Sequence, residues 1–130
     1  MVGILLVTHN GLGDSFAECV KHVLGEVPGN LAVLTVLASD DPQKKLSEGQ
    51  EHIKQLDAGS GVLILADIFG ATPSNIARQL CHAERVMGVA GVNLPMLLRV
   101  LCHPATSLQE LAKAAIEGGR ECIVYIEPGK

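Results

Sequence analysis

The chain has 130 residues, 48% of them hydrophobic and 18% charged, and its 10 basic and 14 acidic side chains give a net charge of −4. This length fits a single domain covering residues 1–130, and the apolar fraction is high enough to form a core, which excludes an intrinsically disordered chain. The acidic balance, with one Tyr, two Phe and no Trp, excludes nucleic-acid binding, which needs cationic surface and usually aromatic stacking.

The cysteines and the N-terminus indicate where the protein works. Cys19, Cys81, Cys102 and Cys122 show no C-x-x-C spacing and lie in apolar or helical segments. We therefore expect buried, reduced thiols in a cytoplasmic protein. No apolar run approaches the ~18 residues of a membrane span, and Met1–His9 lacks the basic start of a signal peptide.

Short apolar runs alternate with segments of helical periodicity from one end of the chain to the other. The predicted strands are Val2–Val7, Leu31–Leu37, Gly61–Ala66, Val86–Val92 and Cys122–Ile126. The predicted helices are Asp14–Leu24, a polar helix from Asp41-Pro42 to Leu56, Thr72–Leu80, Leu94–Leu101 and Ser107–Glu117. Asp41, Thr72 and Ser107 are expected at the N-caps, and Gly118-Gly119 is expected to end the last helix.

This alternation predicts an α/β fold with right-handed βαβ units and a mainly parallel sheet covered by helices on both faces. A flavodoxin-like strand order, 2-1-3-4, would place the first and third strands side by side. Ligands of such sheets bind beyond the carboxyl ends of the strands, where the strand order reverses. The residues that directly follow the strands are therefore the candidates for chemistry.

Two polar side chains end otherwise apolar strands. His9 follows the first strand and Asp67 follows the third, so in the 2-1-3-4 order they converge. A carboxylate that accepts one ring N–H fixes the tautomer of a histidine and leaves its other nitrogen free as a nucleophile. The alternatives without chemistry are a surface or satisfied core histidine for His9 and an ordinary loop or capping carboxylate for Asp67.

The next helix start offers an anion site. Thr72 before Pro73 combines a hydroxyl with unpaired backbone N–H groups at a helix N-terminus, and Gly70 and Ala71 lie immediately before it. The alternative role for Thr72 is that of an ordinary helix N-cap. Histidine, orienting carboxylate and phosphate cradle together predict a phosphohistidine site, because phosphoryl transfer needs mainly positioning and electrostatic stabilisation.

Other sites fit less well. Gly11-Leu-Gly13-Asp-Ser-Phe16 misses the G-x-G-x-x-G dinucleotide pattern at its third glycine, and no P-loop pattern occurs. A phospho-aspartate receiver would need acidic metal ligands after the first strand, where Thr8-His9-Asn10 stands. The remaining histidines, His22, His52, His82 and His103, are expected on helix surfaces or loops, without the spacing of a zinc site.

Three stretches resemble the mannose/fructose-type IIA component of the bacterial phosphoenolpyruvate:sugar phosphotransferase system. They are Gly3–His9, Asp67-Ile-Phe-Gly-Ala-Thr-Pro-Ser-Asn75 and Gly91-Val-Asn-Leu-Pro-Met-Leu97. The resemblance implies that His9 is the phosphoryl acceptor, that Asp67 is its hydrogen-bond partner and that Thr72 provides the hydroxyl near the phosphate. Two departures stand beside these residues: Asn10 occupies the position after the histidine, where glycine is usual, and Ala71 replaces the second glycine of a pair.

The resemblance also implies the partners. His9 would take a phosphoryl group from the small carrier protein HPr and pass it to a IIB component of a sugar transporter, with no metal or organic cofactor. Contact with the membrane would be indirect, and the end of the chain at Lys130 predicts no fused IIB domain. The alternatives are a phosphohistidine subunit of a dihydroxyacetone kinase, a regulatory phosphocarrier without transport, and a small-ligand binding module with an inert His9.

A homodimer is predicted on two grounds. Leu94–Leu101 is apolar nearly all round, and the last predicted strand, Cys122–Ile126, is a continuous apolar run that would lie at a sheet edge. The family resemblance implies that this strand is exchanged between subunits and runs antiparallel to the rest of the sheet.

Overall fold

The computed structural model describes residues 1–104 and 107–129, so Lys130 lies outside it. Strands and helices alternate along the described chain as predicted. The strands are β1 (Gly3–His9), β2 (Leu31–Val36), β3 (Val62–Ala66) and β4 (Val86–Ala90). The helices are α1 (Leu12–Leu24), α2 (Pro42–Leu56), α3 (Thr72–Leu80), α4 (Leu94–Cys102) and α5 (Leu108–Glu121). No helix in the described ranges is long and apolar enough to cross a membrane.

The four strands form one parallel sheet in the order β2-β1-β3-β4, which confirms the predicted fold class and strand order. The central strand β1 aligns Val7 with Ala66 of β3 and His9 with Val36 of β2. Since all strands run the same way, their carboxyl ends share one edge of the sheet.

The core has two layers because side chains of a strand alternate between the faces of a sheet. Ile4 and Leu6 of β1 pack with α1, α4 and α5 on one face. Leu5 and Val7 pack with α2 and α3 on the other. This alternation assigns His9, two residues beyond Val7, to the α2–α3 side.

Helix starts follow the predicted caps, with one exception. Asp41 caps α2 and accepts from Gln43 N, and Ser107 caps α5 and accepts from Glu110 N at 3.1 Å. The prediction for α3 is wrong by one residue, since Thr72 is the first helical residue and Ala71 occupies the N-cap without a side-chain bond.

The C-terminal segment differs from prediction. Helix α5 continues through Gly118 and Gly119 to Glu121, because both glycines face α4. A Cβ on Gly118 would lie 2.8 Å from Arg99 Cβ, and one on Gly119 would lie 3.0 Å from Met96 Cε. These glycines permit close helix packing and do not end the helix.

The predicted fifth strand is absent from this single chain. Residues 122–129, all described, form no strand, and Ile123, Val124, Tyr125 and Ile126 are 70–87% exposed. A strand needs a partner for its backbone groups, and no other described segment supplies one. The exchange of this segment between subunits stays a prediction.

The cysteines are also placed differently. All four, Cys19, Cys81, Cys102 and Cys122, are free thiols, as predicted, but all are exposed and not buried. Cys19 lies on the surface of α1 and Cys102 ends α4, while Cys81 and Cys122 occupy the C-caps of α3 and α5.

Candidate functional site

The site lies at the carboxyl edge of the sheet, where β1 and β3 end side by side. The chain turns directly after His9, because Asn10 has a left-handed backbone with φ of 47°, and its N–H donates to Val36 O at 3.0 Å. Asparagine tolerates this conformation better than most residues, which lets it occupy a turn position that favours glycine. Asp67 follows the last residue of β3 and reaches toward His9.

Asp67 holds both the backbone and the ring of His9. Its Oδ2 accepts from His9 N at 2.9 Å and lies 2.8 Å from His9 Nδ1, while its Oδ1 accepts from Ile68 N at 2.9 Å. The aspartate side chain is 6% exposed and the histidine side chain 43% exposed. The structure therefore brings together the two residues that the sequence places at neighbouring strand ends, and it leaves the imidazole open to solvent.

The charge on Asp67 fixes the tautomer of His9. Burial acts to raise the pKa of this carboxyl, but hydrogen bonds from His9 N–H, the His9 ring and Ile68 N–H outweigh burial and hold the pKa below its usual value. An ionised carboxylate can only accept, so this hydrogen-bond network assigns the proton of a neutral ring to Nδ1. The lone pair of Nε2 is then free.

The start of α3 lies directly after this pair. Thr72 is exposed, and Gly70 has a φ of +87°, which a residue with a side chain rarely adopts. The N–H of Gly70 donates to Ser74 Oγ at 2.8 Å, and Ser74 Oγ donates to Ala71 O at 3.0 Å. Gly70 N–H is thus already engaged, whereas the first amides of α3 have no helical partner.

Ser74 is the residue that sequence reasoning missed. Its hydroxyl joins the loop 68–71 to the first turn of α3 through both bonds. The sequence did contain a pattern that could have indicated this role: Ser74 lies in the first turn of a predicted helix, two residues after the expected cap Thr72 and four after Gly70. Such hydroxyls often bond to nearby backbone groups.

The competing candidates lie elsewhere. Gly13 of the near-miss dinucleotide pattern is a packing residue, since a Cβ there would lie 2.6 Å from Val33 Cγ1 and 2.7 Å from Thr8 Oγ1. His22, His82 and His103 are exposed and His52 is half-buried. Among residues 1–104 and 107–129, no three His, Cys, Asp or Glu side chains are grouped to hold a metal ion.

The fold and the His9–Asp67 pair place the chain in the class of doubly wound α/β proteins that carry a polar pair where the strand order reverses. A family model described as the phosphotransferase-system (PTS) fructose IIA component matches residues 3–116, and the chain belongs to this family.

Two relatives are similar to the chain in sequence, and one solved structure is similar to it in fold. The chain is 29% identical over 123 residues to the mannose-specific EIIAB component of Escherichia coli K12, covering 92% of this chain but only 38% of that protein. It is 30% identical to the fructose-specific EIIA component of Bacillus subtilis, covering 78% of this chain and 69% of that one. A mannose/sorbose-specific IIA subunit from Enterococcus faecalis has the same fold, with a TM-score of 0.88 at 24% identity over 99% of this chain and 97% of its own.

Proposed function

We propose that this protein is a cytoplasmic phosphoryl carrier of a sugar phosphotransferase system, a phosphoprotein in which His9 accepts the phosphoryl group of phospho-HPr. The group then passes to a IIB component that serves sugar uptake and phosphorylation. The observation that carries the proposal is the 2.8 Å contact between His9 Nδ1 and Asp67 Oδ2 on a solvent-accessible imidazole. Membership of the IIA family supports the same role.

The transfer is balanced in atoms and charge. Nε2 of His9 attacks the phosphorus with its lone pair and forms the new N–P bond. The N–P bond to the donor imidazole breaks, and that ring leaves as neutral imidazole because its other nitrogen carries a proton. Phosphorylated His9 keeps its proton on Nδ1, so its ring becomes cationic and the charge of Asp67 balances it. The reverse sequence of bonds delivers the group to the IIB component.

The start of α3 completes the proposed site. Thr72 would donate its hydroxyl to a phosphoryl oxygen, and the free first-turn amides, with the backbone of Gly70 and Ala71 that leads into them, would offset the phosphoryl charge at the positive end of the helix dipole. Ser74 holds this loop in place through its bonds to Gly70 N and Ala71 O.

A labelling experiment tests the proposal. Radiolabelled phosphoenolpyruvate, Enzyme I and HPr are incubated with the wild-type chain, with His9→Gln and with the control His22→Gln, an exposed histidine in the last turn of α1. We expect label on the wild type and the control and none on His9→Gln. Label on a folded His9→Gln variant would contradict the assignment. Candidate IIB proteins are then added to follow release of the label.

We also propose that the protein is a homodimer. The apolar side chains at positions 123–126 are exposed, and among the described residues the outer edge of β4 pairs with no further strand. Covering both surfaces with a second copy removes an open sheet edge and an apolar patch together. Sedimentation equilibrium at micromolar concentration should give twice the 13.7 kDa chain mass. A single species at the chain mass would refute the dimer.

A further inference from the structure

Ser74, in the first turn of α3, carries a hydroxyl that bonds at two points to the loop between Asp67 and α3. Its Oγ accepts from Gly70 N–H at 2.8 Å and donates to Ala71 O at 3.0 Å. Both partners precede Thr72, the first helical residue. The hydroxyl therefore ties the start of the helix to the loop that leads into it.

The loop has little other support near Gly70. Ile68 and Phe69 are 59% and 83% exposed, so their side chains do not anchor the loop in the core. A Cβ on Gly70 would meet nothing within 4 Å, so no described group packs against this part of the backbone either. The order of the backbone at Gly70 and Ala71 therefore depends on the hydroxyl of Ser74.

The carbonyl of Ala71 connects this tether to the start of α3. It accepts from Ser74 Oγ at 3.0 Å and from Asn75 N at 3.0 Å, so two donors of the first turn hold it along the helix. The C=O and N–H of a planar trans peptide unit point in opposite directions. The N–H of Thr72, which shares this peptide unit, therefore points out of the helix start, on the side where anions bind.

The first turn of α3 has few other backbone donors to offer. Pro73 has no N–H, and the N–H of Asn75 bonds to Ala71 O. The amides of Thr72 and Ser74 are left, since the N–H of Gly70 in the preceding loop bonds to Ser74 Oγ. With so few donors, the direction of each one decides how well the charge of a phosphoryl group is stabilised.

We propose that Ser74 is a positioning residue for phosphoryl transfer, an inference that rests on the proposed function. The partners of its hydroxyl are Gly70 and Ala71, and it acts on the phosphoryl group through the Thr72 amide that these bonds direct. The direction of this amide is set before the phosphoryl group arrives. The site then needs no reorganisation of the loop during transfer.

The test removes the hydroxyl of Ser74 and then restores it. Ser74→Ala loses both bonds, whereas Ser74→Thr keeps a hydroxyl on the same carbon. Ser107→Ala is the matched control, because Ser107 also bonds to backbone at a helix start, to Glu110 N at 3.1 Å, but in α5 on the other face of the sheet.

Labelling of His9 is measured by rapid quench with two phosphoryl donors. One donor is phospho-HPr over a range of concentrations. The other is phosphoramidate, a small molecule from which Nε2 takes the phosphoryl group with release of ammonia. A positioning residue affects the reaction with both donors, whereas a residue that only contacts the donor protein affects the first alone.

We expect Ser74→Ala to lower kcat for phospho-HPr by about 10–30-fold with KM within about twofold of the wild type, and to slow labelling by phosphoramidate by the same factor. This is less than the about 10²–10³-fold cost of removing a whole oxyanion donor, because the Thr72 amide stays but loses its fixed direction. Ser74→Thr and Ser107→Ala should stay within about threefold of the wild type. A kcat of Ser74→Ala within about threefold of the wild type, a rise in KM alone, or a Ser74→Thr variant no faster than Ser74→Ala would overturn the positioning role.

A double-mutant cycle tests the route through the loop. Gly70→Ala strains a backbone whose φ is +87° and should also lower kcat. Because both changes disturb the same loop conformation, the double variant should lose no more than about threefold beyond the larger single loss. An unchanged kcat in Gly70→Ala, or two losses that multiply, would overturn this route.

The proposed function fails in a distinguishable way. A wild-type chain that is labelled by phosphoramidate but not by phospho-HPr at any concentration would refute the carrier role, and the phosphoramidate rates of the Ser74 variants would still decide the positioning role. Conversely, a wild type that is labelled by both donors, with no loss in Ser74→Ala, would refute the positioning role and leave the carrier role intact.

Discussion

Replacing Asp67 by asparagine removes the charge beside His9 and keeps the shape of the side chain. The carboxylate accepts from three N–H groups, the backbone and ring of His9 and the backbone of Ile68. An amide offers one oxygen and one NH₂ group. If the amide oxygen faces His9, the N–H of Ile68 faces the NH₂ group, so two donors oppose each other. If the oxygen faces Ile68, both donors of His9 face the NH₂ group instead.

The loss of the Asp67 charge sets the expected decrease in the rate of phosphoryl transfer. In the proposed reaction phosphorylated His9 is cationic, and its Nδ1 lies 2.8 Å from Asp67 Oδ2. The centres of the two charges, on the ring and on the carboxylate, are then about 4 Å apart. At an effective dielectric constant of about 20, that pair is worth about 4 kcal/mol, or about 10³ in rate. If the amide turns the other way, NH₂ donates to Nδ1 and favours the tautomer with its proton on Nε2, which lowers the fraction of rings with a free Nε2 lone pair. We therefore expect Asp67→Asn to slow transfer by about 10²–10⁴-fold.

The assay needs a control that loses a comparable carboxylate elsewhere. Asp57 accepts from Gly59 N at 2.9 Å, from Gly61 N at 3.0 Å and from Arg85, at the opposite edge of the sheet. Rapid-quench measurement of label transfer from phospho-HPr should show a large loss for Asp67→Asn and near wild-type rates for Asp57→Asn. A folded Asp67→Asn variant that transfers within about threefold of the wild type, less than about 1 kcal/mol of barrier, would refute the orienting role of Asp67.

Two further predictions concern stability. Thr8→Val should raise the free energy of unfolding by about 1 kcal/mol, because Thr8 Oγ1 is buried without a hydrogen-bond partner among the described residues. The control is Thr35→Val, at the register partner of Thr8, and urea titration should show the larger gain in stability for Thr8→Val. No gain in Thr8→Val would contradict the prediction. The lowered pKa of Asp67 means that its carboxylate stabilises the fold above its ordinary value of 3.8 and that this contribution is lost as pH falls through the lower folded value. The difference in unfolding free energy between the wild type and Asp67→Asn should therefore be larger at about pH 7 than at about pH 3, and a constant difference would argue against it.

The strand order and the convergence of His9 with Asp67 were predictable because a parallel sheet imposes strong geometric rules. Apolar runs that alternate with helices leave few topologies, and strand ends of neighbouring strands share one edge. Once β1 and β3 are neighbours, the two polar residues that follow their last apolar positions have to meet. Neither step depends on the detailed packing of side chains.

The features that the sequence mispredicted, missed or left untested depend on contacts between distant parts of the structure. Gly118 and Gly119 have the composition of a helix end, but their contacts with α4 determine their role. The apolar run 122–126 has strand propensity, but a strand requires a neighbour that this chain alone does not provide within its described residues. Ser74 bonds to a loop whose shape is fixed only when Gly70 adopts its positive φ.

The distance between His9 and Asp67 along the chain, 58 residues, ties the site to the completion of folding. The two groups meet only when β1 and β3 are paired in the correct register. A slip of one residue would move the strands by about 3.3 Å and turn their side chains to opposite faces. A nascent or misregistered chain therefore has an unpaired His9. If His9 accepts the phosphoryl group as proposed, the rate of acceptance also measures native sheet assembly, and mutations in either strand can be compared by it.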